Sequence, residues 1–452
     1  METRTLIYCW FLSRSKKKMK KYLQVIVIIY IGLFLISLIT PIAYPQLYYL
    51  YAYTLHFVVL GVFIVGYKSF NRSQTTSVRE RKIQEQLSIR PIPMLSIKSI
   101  WGYTFLVAVF IPLYVRFYTG EQWHTQVLAF FVGNSGQDST YYMYQNYFAD
   151  AGLSQMSLSK LPYVLGYGIL KYTYVSLMIF LGTYQAPLKK VGVPIGILCF
   201  LFMSVGMSRG TTIEIFEVFT LLMYVAVLKS PGKISLKSKG TIAIVLLATL
   251  GILYFITSLT LRYEDKAIIE SNNLTFKIDE NSFVSKNMPF LAMILKRLSG
   301  YFVFGFYYLS HCFNDVWMTS KESFCALLTP NGLSIMNIGP DTKSLLCGEV
   351  IDCGAMWIPD IVKAIERYGL IATLIVIYFI GVLFRRISEE YLITKSFLFG
   401  VALYYITLQM FSFQVGNFLT ASSSSIICVA LTIGSLVCPT IFHKTFNGLF
   451  VK

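Results

Sequence analysis

Apolar residues run along this chain in long stretches separated by short polar pieces, most of them basic. A bilayer core about 30 Å thick needs roughly 20 apolar residues per crossing helix. Runs of about that length recur at 22–40, 46–66, 100–118, 163–184, 192–207, 211–228, 240–260, 368–384, 396–412 and 422–442. The pattern predicts an all-α polytopic membrane protein of about ten spans, of which 192–207 is the shortest. No internal repeat is visible, so an inverted-repeat transporter is not suggested.

Composition agrees with the pattern. The chain has 452 residues, of which 55% are hydrophobic and 13% charged. Soluble domains carry about 25% charged residues, so this chain lacks the polar surface to enclose itself in water. Its net charge of +17 invites a nucleic-acid reading, but the distribution of charge argues for a membrane topology and against nucleic acid. The pieces 1–21, 67–99, 185–191, 229–239, 385–395 and 443–452 hold 25 of the 39 Lys and Arg residues against 5 of the 22 Asp and Glu residues. The pieces on the other side hold 12 basic and 15 acidic residues, and the spans hold the rest. The positive-inside bias therefore puts both termini in the cytoplasm.

The resulting organisation is a basic N-terminus, 1–21; seven spans within 22–260, interrupted by an external loop at 119–162; a large external loop, 261–367; three spans within 368–442; and a cytoplasmic tail, 443–452. Lys16, Lys17, Lys18, Lys20 and Lys21 precede an apolar run too long for a signal peptide, which reads as an uncleaved anchor. Residues 1–18 read as structureless, leaving Met19 as an alternative start. Inside the large loop, the aromatic run 299–313 is short for a span and reads as an interfacial or re-entrant helix packed on protein, with a pair of extra spans as the alternative. Four of the eight cysteines fall in this loop. Cys312 with Cys325 and Cys347 with Cys353 close the shortest loops; four free thiols are the alternative.

Charges within or at the lip of spans carry the chemistry, because each costs about 2.5–3.5 kcal/mol at mid-bilayer. Ser208-Arg209-Gly210 lies between two spans, and Glu214 and Glu217 follow on one helix face. Arg209 can reach either carboxylate. It can serve as an outward anion site at a helix N-terminus or as a structural ion pair. Arg262 and Arg297 are further external arginines at membrane level, Arg297 following Lys296. Guanidinium groups bind phosphate oxygens bidentately without a metal, so a lipid-linked diphosphate suits the three. Arg116 and Lys171 are expected to snorkel outward. Tyr141, Tyr142, Tyr144 and Tyr147 suit either a glycan groove or an interfacial tyrosine belt. Asp352 and Asp360, near Trp357, are candidate general bases. His311, within the aromatic run, reads as a packing residue. A Gly-rich phosphate loop, a His-Glu-x-x-His site, a four-Cys metal spacing and a paired-Asp motif are all missing from the sequence. No cofactor or metal is expected.

At these residues the chain resembles the Wzy-type polymerases of O-antigen and capsular repeat units. Ser208-Arg209-Gly210 is similar to the Ser-Arg-Gly of many polymerases and related O-antigen ligases. Arg297-Leu-Ser-Gly-Tyr301 with Gly305-Phe-Tyr307-Tyr-Leu309 resembles the family's Gly-Tyr…Gly-Tyr-x-x-Leu stretch, and Trp357-Ile-Pro-Asp360 with Tyr368-Gly369 and Gly381 resembles the end of its loop. The resemblance covers most of the chain in layout, through short motifs. It implies transfer between undecaprenyl-diphosphate-linked oligosaccharides on the periplasmic face of a bacterial inner membrane, with inverting and retaining outcomes both open. Arg209 and Arg262 would hold the diphosphate leaving group, and Arg297 would position the second lipid. Glu214 or Glu217 would orient Arg209, and Asp352 or Asp360 would take the acceptor proton. Ser208, Gly210, Lys296, Tyr301, Tyr307 and Trp357 would complete the substrate site. A flippase and a chain-length regulator of the same pathway are the implied partners, besides the bilayer. An O-antigen ligase and a lipid-linked oligosaccharide flippase or transporter remain the alternative activities. His311 lies in no ligase-like motif, which weighs against the ligase.

Overall fold

The computed structural model describes residues 2–44, 47–70, 96–132, 158–184, 188–211, 213–229, 279–328, 359–416, 418–419 and 422–451, with isolated positions at 140, 143–144, 146–147, 246, 249, 270–271 and 274–275. These residues are nearly all helical. The helices are α1 (Glu2–Ile39), α2 (Tyr48–Ser69), α3 (Ile97–Thr119), α4 (Trp123–Val132), α5 (Leu161–Thr183), α6 (Leu188–Arg209), α7 (Ile213–Lys229), α8 (Phe283–Asn287), α9 (Pro289–Phe302), α10 (Phe304–His311), α11 (Lys321–Leu328), α12 (Asp360–Thr394), α13 (Phe397–Ser412), α14 (Ser423–Val437) and α15 (Pro439–Phe450). A two-residue hairpin pairs Glu270–Ser271 with Leu274–Thr275.

Among the described residues, six helical segments are long and apolar enough to cross a membrane: Lys21–Ile39, Tyr48–Ser69, Ile97–Thr119, Leu158–Thr183, Val191–Arg209 and Asp360–Thr394. α14 and α15 together make a seventh if counted as one bent span. The chain is thus an all-α, multi-pass membrane protein. The expected span at 240–260 lies outside the described residues apart from Leu246 and Thr249.

Two expectations about elements need correction and a third gains detail. Residues 1–18 were expected to lack structure, yet α1 begins at Glu2; Lys, Leu and Arg are good helix formers and extend the apolar helix backwards. The run 422–442 is broken rather than straight, because α14 stops at Val437 and α15 leaves at 111°. The run 299–313 is the end of α9, then α10, then a π-helical turn, Cys312–Trp317.

The chain divides into two compact units. One comprises residues 1–76, 266–392 and 406–419; the other comprises 77–265, 393–405 and 420–452. In the first, α10 lies on α2: Phe306 meets the rings of Tyr53 and His56 at 5.2 and 4.8 Å. Phe306, Tyr307, Tyr308, Leu309 and Ser310 are buried. This helix packs on protein, as its Gly, Tyr and His content implies. α2 and α12 cross where Gly66 rests on the Tyr378 carbonyl and Gly381 on the Phe63 carbonyl. A methyl group at either position would collide with backbone, so the crossing uses small residues to bring two helices together, as membrane helices commonly do. The break in α12 at Gly369, φ 76° and ψ 160°, separates the short segment 360–368 from the span proper.

In the second unit α5 is the central helix, flanked by α3, α7 and α14. It is buried along most of its length. Tyr114 and Tyr167 stack at 4.4 Å, and Phe117 and Tyr163 at 4.1 Å, joining α3 to α5. Cys312, in the first unit, is a buried free thiol. Of the two readings for Cys312, a bridge to Cys325 or a free thiol, the structure has the free thiol; Cys347 and Cys353 lie outside the described residues.

Candidate functional site

The Ser208-Arg209-Gly210 segment is a helix terminus in the second unit. Gly210 has φ 61°, its N–H donates to the Met207 carbonyl at 3.1 Å, and the Thr211 N–H donates to the Gly206 carbonyl at 2.8 Å. This pair of bonds is the Schellman closure of a helix, which needs a left-handed residue just beyond the last turn. Glycine is the residue that meets this need without a Cβ clash. Arg209 thus stands at the C-terminus of α6, not at the helix N-terminus expected from sequence. The negative end of the α6 dipole faces it, which favours a cation there. Ser208 is fully buried and donates to the Ser204 carbonyl at 2.6 Å, so its hydroxyl faces the bundle. Ser204 Oγ in turn accepts from Trp123 Nε1 at 2.8 Å. Around this corner Val127, Met207 and Ile215 form an apolar cluster with Trp123, Phe130, Met203 and Phe219.

The sharp corner returns the chain so that the first turn of α7 faces Arg209. Arg209 Nη2 pairs with Glu214 Oε1, and Thr211 donates to Glu214 Oε2 at 2.8 Å. The rings of Tyr114 and Tyr144 lie 5.8 and 5.7 Å from the guanidinium carbon, within cation–π range. Arg209 is 8% exposed. Besides Glu214, it donates weakly from Nε to the Val205 carbonyl at 3.5 Å. Its Nη1 edge has no hydrogen-bond partner among the described residues. Glu214 is therefore the carboxylate that holds Arg209, and Tyr144 is the described loop tyrosine that joins it.

Glu217 does something else. Its Oε2 meets Lys171 Nζ at 2.6 Å. Ser425 of α14 accepts from Lys171 at 3.2 Å and reaches Glu217 Oε1 at 3.5 Å. Ser425 belongs to the first turn of α14, whose N-cap Ser422 accepts from the Ser425 N–H at 3.2 Å. The expectation that Lys171 snorkels outward is overturned: it is 8% exposed and finds its counter-ion across the bundle. Arg116 does stay exposed, in the last turn of α3.

The remaining candidates fall elsewhere. Asp360 is the first residue of α12 in the first unit, is 8% exposed and accepts from Gln409 Nε2 at 3.0 Å. Tyr307 is buried and meets His311 edge-on at 4.6 Å. Burial, with the Asp315 carboxylate adding to it, pushes its phenol up to about 12. His311 Nδ1 pairs with Asp315 Oδ2 at 2.7 Å, a local contact across one helical turn. Lys296, Arg297 and Tyr301 sit on α9, with side chains outside what is described; Arg262, Asp352, Trp357, Tyr141 and Tyr142 lie outside the described residues altogether. Of the three arginines, only Arg209 has a described environment. Among the described residues, no group of three or more His, Cys, Asp or Glu side chains could hold a metal ion.

Two partners escaped sequence reasoning. Lys171 was visible as the single charge within an apolar run, and such a residue has to find a counter-ion or reach the interface. Tyr114 lies far from Arg209 in sequence; its signal is the Phe110, Tyr114, Phe117, Tyr118 stripe at helical spacing on α3.

No family model, curated protein or solved structure matches the chain.

Proposed function

We propose that the chain is a glycosyltransferase of the Wzy type, which joins undecaprenyl-diphosphate-linked oligosaccharide repeat units into O-antigen or capsular polysaccharide. The observation that carries the reading is the Arg209 corner. A guanidinium is held by one carboxylate and two tyrosine rings, with one donor edge unclaimed among the described residues. A planar fork with an open edge suits a diphosphate, whose oxygens can compete with Glu214 for it.

In this reading the chain has ten spans, both termini in the cytoplasm and the loop 261–367 on the periplasmic side of the inner membrane. Within the second unit, the Ser96 N–H donates to the Phe450 carbonyl, and Ser396 hydrogen-bonds His443. The first bond joins the basic pieces 67–99 and 443–452, and the second joins 443–452 to the start of α13, contacts that support a shared side for these pieces.

The reaction follows from the leaving group. A hydroxyl of an incoming lipid-linked unit forms a bond to the anomeric carbon of the growing chain. The bond from that carbon to the diphosphate oxygen breaks, and its electron pair stays on the diphosphate. Arg209 offsets the charge that develops there, the preorganised electrostatics that supplies much of many rate gains. Arg262 and Arg297 remain proposed partners in holding lipid diphosphate, and Asp352 or Asp360 the proposed acceptors of the hydroxyl proton. Lys296, Tyr301, Tyr307 and Trp357 complete the proposed substrate site, with Ser208 and Gly210 shaping the corner.

The test is reconstitution of the full-length protein with a polyprenyl-diphosphate oligosaccharide, with products resolved on a gel. A ladder of lengthened chains is expected. With lipid A core supplied as a second acceptor, transfer of glycan onto it without lengthening would instead identify a ligase. A second reading, a flippase or transporter for the same lipid, draws on the Lys171–Glu217 pair inside the helical unit, since charges facing a bundle interior often mark a substrate path. Movement of a labelled lipid-linked glycan across the vesicle bilayer without lengthening would establish it.

A further inference from the structure

The last two helices meet at Cys438 with an angle of 111° between them. A helix crossing a bilayer, followed by a helix lying along its surface, makes such an elbow. α14 has 15 residues, about 22 Å at 1.5 Å per residue, short of the hydrocarbon core of about 30 Å. A surface helix sinks its apolar face about 5–10 Å into the headgroup boundary, which supplies the difference.

The side chains of α15 sort into three faces. Phe446 and Phe450 are buried. Phe446 meets Phe180 of α5 at 5.2 Å, and Phe450 meets Tyr103 of α3 at 5.6 Å. Its backbone and His443 are tied to Ser96, just before α3, and Ser396, just before α13, at 2.7 and 2.9 Å. α15 therefore lies across the ends of several helices of its own unit. What remains exposed is divided. Ile441 and Leu449, 64% and 52% exposed, make one flank apolar, with the small Thr445 between them. Thr440, Lys444 and Asn447 form a polar flank on the other side of the helix.

We infer that α15 is an interfacial helix seated at the lipid–water boundary, with the Ile441–Leu449 flank against acyl chains and the Lys444–Asn447 flank among headgroups and water. The occupant is the bilayer because α15 follows the apolar helix α14 at an elbow and lies against the ends of the apolar helices α3, α5 and α13, the level where a membrane surface would run. Lys444 suits the phosphate of an anionic headgroup. The inference is independent of the polymerase reading and of which membrane holds the chain.

The test uses full-length protein in nanodiscs of phosphatidylethanolamine and phosphatidylglycerol. Nitroxide labels are placed at I441C, L449C, K444C and N447C in a form whose eight native cysteines are replaced by serine or alanine. Labels at 441 and 449 are expected to collide preferentially with oxygen, which concentrates in the bilayer, and labels at 444 and 447 with a water-soluble nickel chelate. Equal access of all four to the chelate would overturn the inference by placing α15 in water. Equal protection of all four would overturn it in favour of a protein partner or a buried span. If the cysteine-free form does not fold, I441W in the native background replaces it. Strong quenching of the added fluorescence by lipids brominated near the headgroup end of the chain is expected, and its absence would count against the inference.

Discussion

Two ion pairs sit three residues apart on one face of α7, and they are built for different ends. Lys171–Glu217 joins α5 to α7, and Ser425 of α14 closes it on both partners. It ties three helices together from segments far apart in the chain. Arg209–Glu214 spans only the corner between α6 and α7, with Thr211 between them. It links neighbours that the Schellman turn already holds, so it adds little to the assembly of the unit. Its cation is wide, planar and flanked by rings, where the other is a compact ammonium. The comparison teaches that burial of charge alone does not mark a binding site. A pair closed by a third helix is fastening; the pair at the helix end, whose guanidinium keeps a donor edge unclaimed among the described residues, is the one that the proposed function has exchange its carboxylate for another anion.

The comparison breaks most visibly at the closed pair. Glu217→Gln leaves the Lys171 ammonium buried without its counter-ion, and removing one partner of a buried pair costs about 3–5 kcal/mol. Thermal unfolding in detergent should show a large drop in Tm. The double variant Lys171→Met with Glu217→Leu should regain most of it, because no charge is then stranded. Glu214→Gln should lower Tm less than Glu217→Gln. Equal losses for the two glutamates would erase the distinction between the pairs.

A smaller effect sharpens the other side. Gly210→Ala puts a Cβ on a left-handed residue, at about 1–2 kcal/mol. Because this turn sets the approach of α7 to Arg209, activity should fall further than that loss of stability accounts for. A stability loss with an unchanged rate of chain lengthening would mean that the corner need not be held so exactly in place.

Much of this molecule can be read from its sequence because membrane spans are a matter of length and hydropathy. Tyr48–Ser69, Ile97–Thr119 and Leu161–Thr183 fall close to the predicted runs for that reason. The break at Cys438 was hidden by the same criterion, since apolar and small residues continue through it. Pro439 was the available signal. Proline disfavours helical backbone in the residue before it, and Cys438 indeed turns out of the helix at φ −121° and ψ 61°. Within the site, the Arg209–Glu214 pairing was legible as one of two choices because both residues are local. The choice itself depended on the turn at Gly210. Lys171 with Ser425, and Tyr114 with Arg209, are meetings of residues distant in sequence. Nothing in the local pattern of either segment specifies them; they follow from how α3, α5, α7 and α14 pack.

The central claim is that the Arg209 guanidinium grips a lipid-linked diphosphate as it leaves. The most direct measurement is chain lengthening by purified Arg209→Lys and Arg209→Ala proteins, each first shown to insert and to unfold at a temperature near that of the unaltered protein. The account predicts that neither variant extends the glycan beyond a single repeat, the lysine failing because it keeps the charge but loses the fork. A full ladder from the alanine variant would contradict it.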